Sequence, residues 1–377
     1  MLRKFLLIIC LIPVALMLGA QEDSVNINRL SLLFIGDIMG HDEQIASAFN
    51  PGTGNYEYDD VFSYVRDEIS EADIAIGNLE VTLGGSPYKG YPAFSSPASL
   101  AAACSNAGID VLVTANNHSV DRGRKGILST IQRLDSLGIM HTGTFADSAA
   151  RDSLSPLIIE KNGISIAILN YTYGTNGLKV PPPTIVNMLD TAVISSDIKK
   201  ALALNADVII PFVHWGIEYD TLPSAEQKRL ARFFFSKGAD LIIGSHPHVL
   251  QQMEWTPADS CRGDNLVVYS LGNFVSNQRT IRRDGGSMVR IELEKADSIT
   301  RVSRAGYYLT WVYTPVENGR KKFYVLPCSV YENRPEYFSR PSDYQKMKLF
   351  IRNSRRLLNT LNTGIGEIIC TEEGWVY

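Results

Sequence analysis

The chain has 377 residues, of which 45% are hydrophobic and 20% charged, enough for a large α/β core and unlike a disordered, collagen-like or disulfide-dense chain. A net charge of −4 from 36 basic and 40 acidic residues leaves no basic footprint for nucleic acid. The five cysteines (Cys10, Cys104, Cys261, Cys328, Cys370) form no C-x-x-C pair, which excludes a zinc knuckle or a thioredoxin-type motif.

Arg3 and Lys4 precede an apolar run, Phe5 to Leu18, that ends in Leu18-Gly19-Ala20 and then the polar Gln21-Glu22-Asp23. This pattern describes a secretory signal peptide over residues 1–20, cleaved after Ala20. The run is shorter than the roughly 20 residues a spanning helix needs. The expected location is periplasmic or otherwise extracytoplasmic, with an uncleaved N-terminal anchor as the alternative. Cys10 would leave with the peptide, and the other cysteines can form disulfides in an oxidising compartment; the sequence does not pair them.

Residues 30–35 form a short apolar run ending at Gly36-Asp37, the pattern of a buried strand feeding a loop. Val61, Phe62, Val65 and Ile69 fall on one side of a helix over 60–69. Residues 73–76 read as a strand entering Gly77-Asn78-Leu79-Glu80. A helix over 97–106, opened by Ser96-Pro97, stops at Gly108. A strand over 109–114 then enters Ala115-Asn116-Asn117-His118, and an amphipathic helix over 126–137 closes at Gly138. Strands over 164–169, 208–213, 241–243 and 266–269 alternate with helices over 196–204 and 224–237, in spacings that suit βαβ units. Beyond about residue 285 the pattern becomes strand-rich, with a polar helical tail over 342–361.

Polar residues concentrate where strands end, and loops at one edge of an α/β sheet are where ligands bind. Five of the six histidines (His41, His118, His214, His246, His248) follow apolar strands, and only His141 lies elsewhere. A single histidine would read as a surface or core residue; the set reads as one site. The inventory of Asp, Glu, Asn and imidazole without thiolate suits Zn, Mn or Fe better than Mg or Ca alone.

The segments FIGDIMGH, AIGNLEV, VLVTANNHSVDRGRKGI, PFVHWGIEY, LIIGSHPHVLQ and VVYSLGNFV, in that order over roughly residues 30–276, resemble the CapA family of poly-γ-glutamate capsule biosynthesis proteins. That family is similar in fold to calcineurin-like metallophosphoesterases. The resemblance implies a four-layer αββα sandwich of metallophosphoesterase type, with a CapA-like domain over residues 28–276 and one or two divalent metal ions at the sheet ends. Residues 277–377 are expected to complete the second sheet of the same sandwich, because the motif-bearing segment offers too few strands for two sheets.

The resemblance also implies roles. Asp37 matches the first aspartate of the metallophosphoesterase site. His41 follows four positions later, where the wider superfamily has Asp-x-His. The second, bridging aspartate has no direct counterpart; Glu80 is its best substitute, with Asn78 behind it. Asn117 and His118 match the Asn-His pair, the amide as metal ligand and the imidazole acting on substrate. Asp121 would orient His118. His214 matches the lone histidine, and His246 and His248 the final His-x-His. The changed second ligand leaves one ion or two open.

Two functions follow. One is an exported metal-dependent hydrolase acting on a phosphoester or amide bond in an anionic polymer or envelope component. The other is a non-catalytic partner that binds or exports the polymer with a membrane polyglutamate synthase. The basic run Arg279 to Arg283 reads as a solvated face or as a contact for an anionic polymer or phosphate. Tyr171, Tyr173, Trp215 and Tyr219 read as packing or as cleft lining.

Overall fold

The computed structural model describes residues 27–257, 263–371 and 373–376; the expected signal peptide, Cys10 and Cys261 lie outside them. The chain first lays down β1 (Ile27–Ile38), β2 (Ile74–Leu79), β3 (Val111–Val113) and β4 (Met140–Thr142). It then builds a second sheet from β5 (Leu157–Lys161), β6 (Ile164–Thr172), β7 (Val208–His214), β8 (Leu241–Ser245), β9 (Met253–Thr256) and β10 (Asn265–Val268). It returns with β11 (Asn273–Val275), β12 (Gly285–Ala296), β13 (Ile299–Tyr313) and β14 (Tyr324–Pro327). The first sheet has the order β14-β13-β12-β1-β2-β3-β4, with β11 also paired to β1, and the second β9-β10-β8-β7-β6-β5.

Strands β1 to β4 are parallel, as are β6, β7, β8 and β10. Successive side chains on a strand point to opposite faces, so both faces of each sheet must be apolar if both are covered. Leu30, Leu32 and Phe34 of β1 meet Ile164, Ile166, Ile168, Ile210 and Phe212 between the sheets. Their neighbours Leu33 and Ile35 face outward, against Leu100 and Cys104 of α2 and Leu134 of α3. Here α1 is Asp42–Ala48, α2 is Ser99–Asn106 and α3 is Gly123–Leu137. On the far side, Leu169, Ile209 and Val213 pack against Ile194 and Ile198 of α4 (Thr191–Ala203) and Leu230 and Phe234 of α5 (Ala225–Lys237). Helix, sheet, sheet, helix: the expected αββα sandwich is the observed one.

Local details differ from expectation. The helix expected over 60–69 is a 3-10 turn, Asp59–Phe62, and a short α-helix, Arg66–Ser70, although Val61, Phe62, Val65 and Ile69 are all buried. The strands after residue 285 were expected in the second sheet but join the first, where β12 pairs antiparallel with β1 from Ile27 to Ile35. The physical reason is that residues 157–268 already supply six strands to the second sheet, among them the unexpected β5 and β9. The polar tail is α6 (Pro341–Leu361), and its Met347, Phe350, Ile351 and Leu358 enter the inter-sheet core. Among the described residues Cys104, Cys328 and Cys370 are free thiols, and no helix is long and apolar enough to cross a membrane.

Candidate metal centre

Because the parallel strands run the same way, their C-terminal ends gather at one edge of the sandwich. Asp37 is the penultimate residue of β1, Glu80 follows β2, and His214 ends β7. His246 and His248 follow β8. Asp37 is placed by close strand approach: a Cβ on Gly36 would stand 2.2 Å from the Gly272 carbonyl oxygen, so only glycine lets the Asp37 N–H donate to that oxygen at 3.0 Å.

Ligand atoms of Glu80, His214 and His246 lie within 4.8 Å of one another, and so do those of Asp37, Glu80 and His248. Glu80 is common to both groups. Asp37 is well supplied with partners: Asn78 Nδ2 donates to its Oδ1 at 2.8 Å, and His248 Nδ1 contacts its Oδ2 at 3.0 Å. Asn78 in turn accepts from Asn116 Nδ2 at 3.3 Å, so its amide holds Asp37 in place rather than adding a second carboxylate. His214 is held by Ser245 Oγ at Nδ1, 2.9 Å away, and meets Asn117 Oδ1 at Nε2, 3.0 Å away. Asn117 is steadied by Asn176, to which its Nδ2 donates at 3.2 Å.

Glu80 is the opposite case. It is fully buried, and both its carboxylate oxygens lack a hydrogen-bond donor; the nearest imidazole nitrogens, His214 Nε2 and His248 Nε2, stand 3.5 and 3.7 Å away. Burial, and then the charge of Asp37, push its carboxyl well above the ordinary value. His246 Nδ1 is likewise buried without a partner. Unpaired buried polar atoms are costly, and a carboxylate and an imidazole aimed at the same space fit a cation that would satisfy both. With Asp37, Asn117, His214 and His248 the donors are oxygen and nitrogen only, which suits Zn, Mn or Fe.

The remaining titrations fit that reading. Burial drives His214 down to about 3 and His246 down to about 2, so both rings are neutral and able to ligate. Burial also opposes a charge on His248, but Glu80 and Asp37 outweigh it and raise the ring to about 9. Burial works against ionisation of Asp37 too, yet the hydrogen bond and charge of His248 leave its carboxyl below the usual range. His246 and His248 have φ of 99° and 58°, left-handed conformations that cost about 1–3 kcal/mol each for residues with a Cβ and concentrate at functional sites.

His118 belongs to neither ligand group. Its Nδ1 meets Asp121 Oδ2 at 2.8 Å, and the same oxygen accepts the Phe94 N–H at 2.7 Å. The Phe94 ring stands edge-on to the imidazole with centroids 4.6 Å apart. His41 also lies outside both groups. It caps α1, with Gln44 Oε1 3.0 Å from its Nδ1, and the Asn277 N–H points at that nitrogen from 3.2 Å. The local helix start, rather than the cluster, sets its ring. Three exposed tyrosines rim the centre: Tyr91 beside His118, Tyr173 beside His246 and Tyr219 beside His248, with ring centroids 6.5, 4.5 and 6.2 Å apart. Tyr171 and Trp215, by contrast, are buried in the outer core. Ser245, Asn176 and Phe94 are site residues that the sequence did not single out; only Ser245, the first residue of Ser-His-Pro-His, carried a signal.

Residues 31–278 match the family described as bacterial capsule synthesis protein PGA_cap. The chain belongs to this family. It is 31% identical over 284 residues to the capsule biosynthesis protein CapA of Bacillus anthracis, covering 70% of this chain and 64% of that one. It is 28% identical over 340 residues to the PGA biosynthesis protein CapA of Bacillus subtilis strain 168, covering 84% and 76%. The chain thus spans a little under two thirds of the first of these relatives. Solved structures similar to it include the NAD nucleotidase of Haemophilus influenzae, with a TM-score of 0.48 and 13% identity over 88% of this chain and 61% of that one. Another is the calcineurin-like phosphoesterase YfkN of Bacillus subtilis, with a TM-score of 0.42 and 16% identity over 88% and 99%. Both are likenesses of fold and carry no activity over to this PGA_cap member.

Proposed function

We propose that this PGA_cap protein is an exported metal-dependent hydrolase of capsule or envelope polymer metabolism, cleaving a phosphoester or amide bond in an anionic polymer. The observation that carries the reading is Glu80, buried, unpaired and shared by two three-residue ligand groups. Asp37, Glu80 and His248 would hold one divalent ion, and Glu80, His214, His246 and Asn117 another. Bound there, divalent ions supply Lewis acidity and a nucleophilic water at neutral pH.

The chain's own residues do the rest. Asp121 fixes the His118 ring through Nδ1, which leaves Nε2 to donate a proton to the leaving group. Ser245 and Asn78 keep His214 and Asp37 aligned, and the tyrosine rim narrows the mouth through which a polymer segment enters. A membrane synthase that makes or moves the polymer is the partner this reading suggests.

The test is elemental analysis after incubation with Mn or Zn, followed by a panel of phosphoester and γ-glutamyl substrates assayed with Mn, Zn and Fe. His246→Ala is expected to reduce bound metal. His118→Ala is expected to keep metal and lose turnover by about 10²–10⁴-fold, the range for a general acid. A wild type that takes up no metal defeats the hydrolase reading in favour of a non-catalytic polymer-binding partner.

A further inference from the structure

The basic run Arg279 to Arg283 plays no part in the chemistry above, yet one of its members is built into the rim of the centre. The Arg283 guanidinium lies over the Tyr219 ring, 3.8 Å from its centroid. Two contacts fix this pair relative to the ligands. The Tyr219 N–H donates to the Pro247 carbonyl at 2.8 Å, between His246 and His248, and Tyr219 itself adopts a left-handed φ of 69°. On the other side Asn273, which pairs with Asp37 in the β1–β11 register, donates from Nδ2 to the Arg283 carbonyl at 2.8 Å.

Among the described residues Arg283 has no carboxylate within salt-bridge distance, whereas Arg151, Arg290, Arg340 and Arg355 each have one. An arginine stacked on an aromatic face keeps its N–H edge free for a planar, bidentate partner. The loop carries two exposed acids, Glu218 and Asp220; Glu218 sits beside the Tyr219 hydroxyl, which the Arg283 guanidinium also reaches.

We infer that Arg283, seated on Tyr219, is a carboxylate-binding subsite on the His248 side of the centre, which receives an acidic group of the polymer flanking the bond to be cleaved. The inference rests on the proposed function and adds a specificity residue to it. A bare divalent site distinguishes poorly among anions; a guanidinium at a fixed offset selects a repeating carboxylate by spacing.

The experiment is isothermal titration of the metal-loaded protein with a γ-linked glutamate oligomer, which carries free α-carboxylates, and with the matching γ-linked isoglutamine oligomer, in which they are α-carboxamides. Wild type is compared with Arg283→Ala and Arg283→Lys, with metal content measured in each. Arg283→Ala is expected to weaken binding of the acidic oligomer about tenfold, to flatten its salt dependence, and to leave metal content and binding of the neutral oligomer unchanged. Arg283→Lys is expected to recover only part of the loss, since lysine keeps the charge without the bidentate edge. Equal weakening of both oligomers, or no change in either, overturns this inference alone. A wild type that binds neither oligomer overturns the polymer reading and this subsite with it.

Discussion

The space between the sheets and the cluster at its edge are made by the same strands, only two or three residues apart. In β7, Phe212 is fully buried among apolar side chains and His214 is fully buried among polar ones. In β1, Phe34 and Asp37 stand in the same relation. The interior is satisfied: its side chains lose water and gain close contacts. The cluster is not, because Glu80 and His246 present buried atoms without partners and two histidines hold unfavourable backbone angles. Close packing thus resides in the first region and the candidate metal ligands in the second, with the rigid strands transmitting position from one to the other.

The sharpest way to break this division is to cut on either side of it in β7. Phe212→Ala is expected to cost about 3–5 kcal/mol, the range for an aromatic lost from a packed core, read from denaturant unfolding of metal-free protein. His214→Ala, two residues on, is expected to cost less than half as much in the same measurement while abolishing tight metal binding. Comparable losses would mean that the cluster supports the fold.

A second, smaller effect concerns Glu80. In the unfolded chain it ionises near its ordinary value of 4.5, whereas the folded protein holds its proton well above that. The folded state therefore binds more protons, and metal-free stability falls as pH rises above about 4.5, by up to about 1.4 kcal/mol per pH unit until the folded carboxyl ionises. Raising of His248 to about 9 acts in the same direction above 6.5. Glu80→Gln is expected to flatten the fall that begins near 4.5. Loading wild type with Zn or Mn is expected to reverse it, since binding releases those protons. An unchanged pH profile in Glu80→Gln would show that the carboxyl is already satisfied.

The smallest effect lies on the acid side. His246 is pushed by burial from 6.5 to about 2, so the unfolded chain takes up a proton first, and stability is lost as pH falls below 6.5. His246→Ala is expected to reduce that acid slope by about 1.4 kcal/mol per pH unit. Chemical denaturation of chelator-treated protein at pH 7.0, 6.0 and 5.0 measures it.

Much of this arrangement was legible because parallel strands end together: an apolar run followed by Asp, Asn or His marks a residue delivered to one edge, and Asp37, Glu80, Asn117, His214, His246 and His248 were all placed by that rule. His41 is the least legible member, since a histidine just after a strand can equally start a helix, and here it makes a capping contact with Gln44 while the charges of His118 and His248 still reach it. The sheet joined by residues 285–313 was misjudged because long antiparallel strands carry no local record of which edge they meet. Short strands such as β4 and β9 were missed for want of length. Asn176 lies 59 residues from the amide it steadies, a relation that no pattern in the chain reveals.

The direction of β1 sets how the molecule faces its surroundings. From Ile27 to Asp37 the strand advances roughly 33 Å at about 3.3 Å per residue, so Ile27 lies at the pole opposite the tyrosine rim. Ile27 and the mouth therefore stand about three nanometres apart, and the cluster faces away from the point at which the described chain begins.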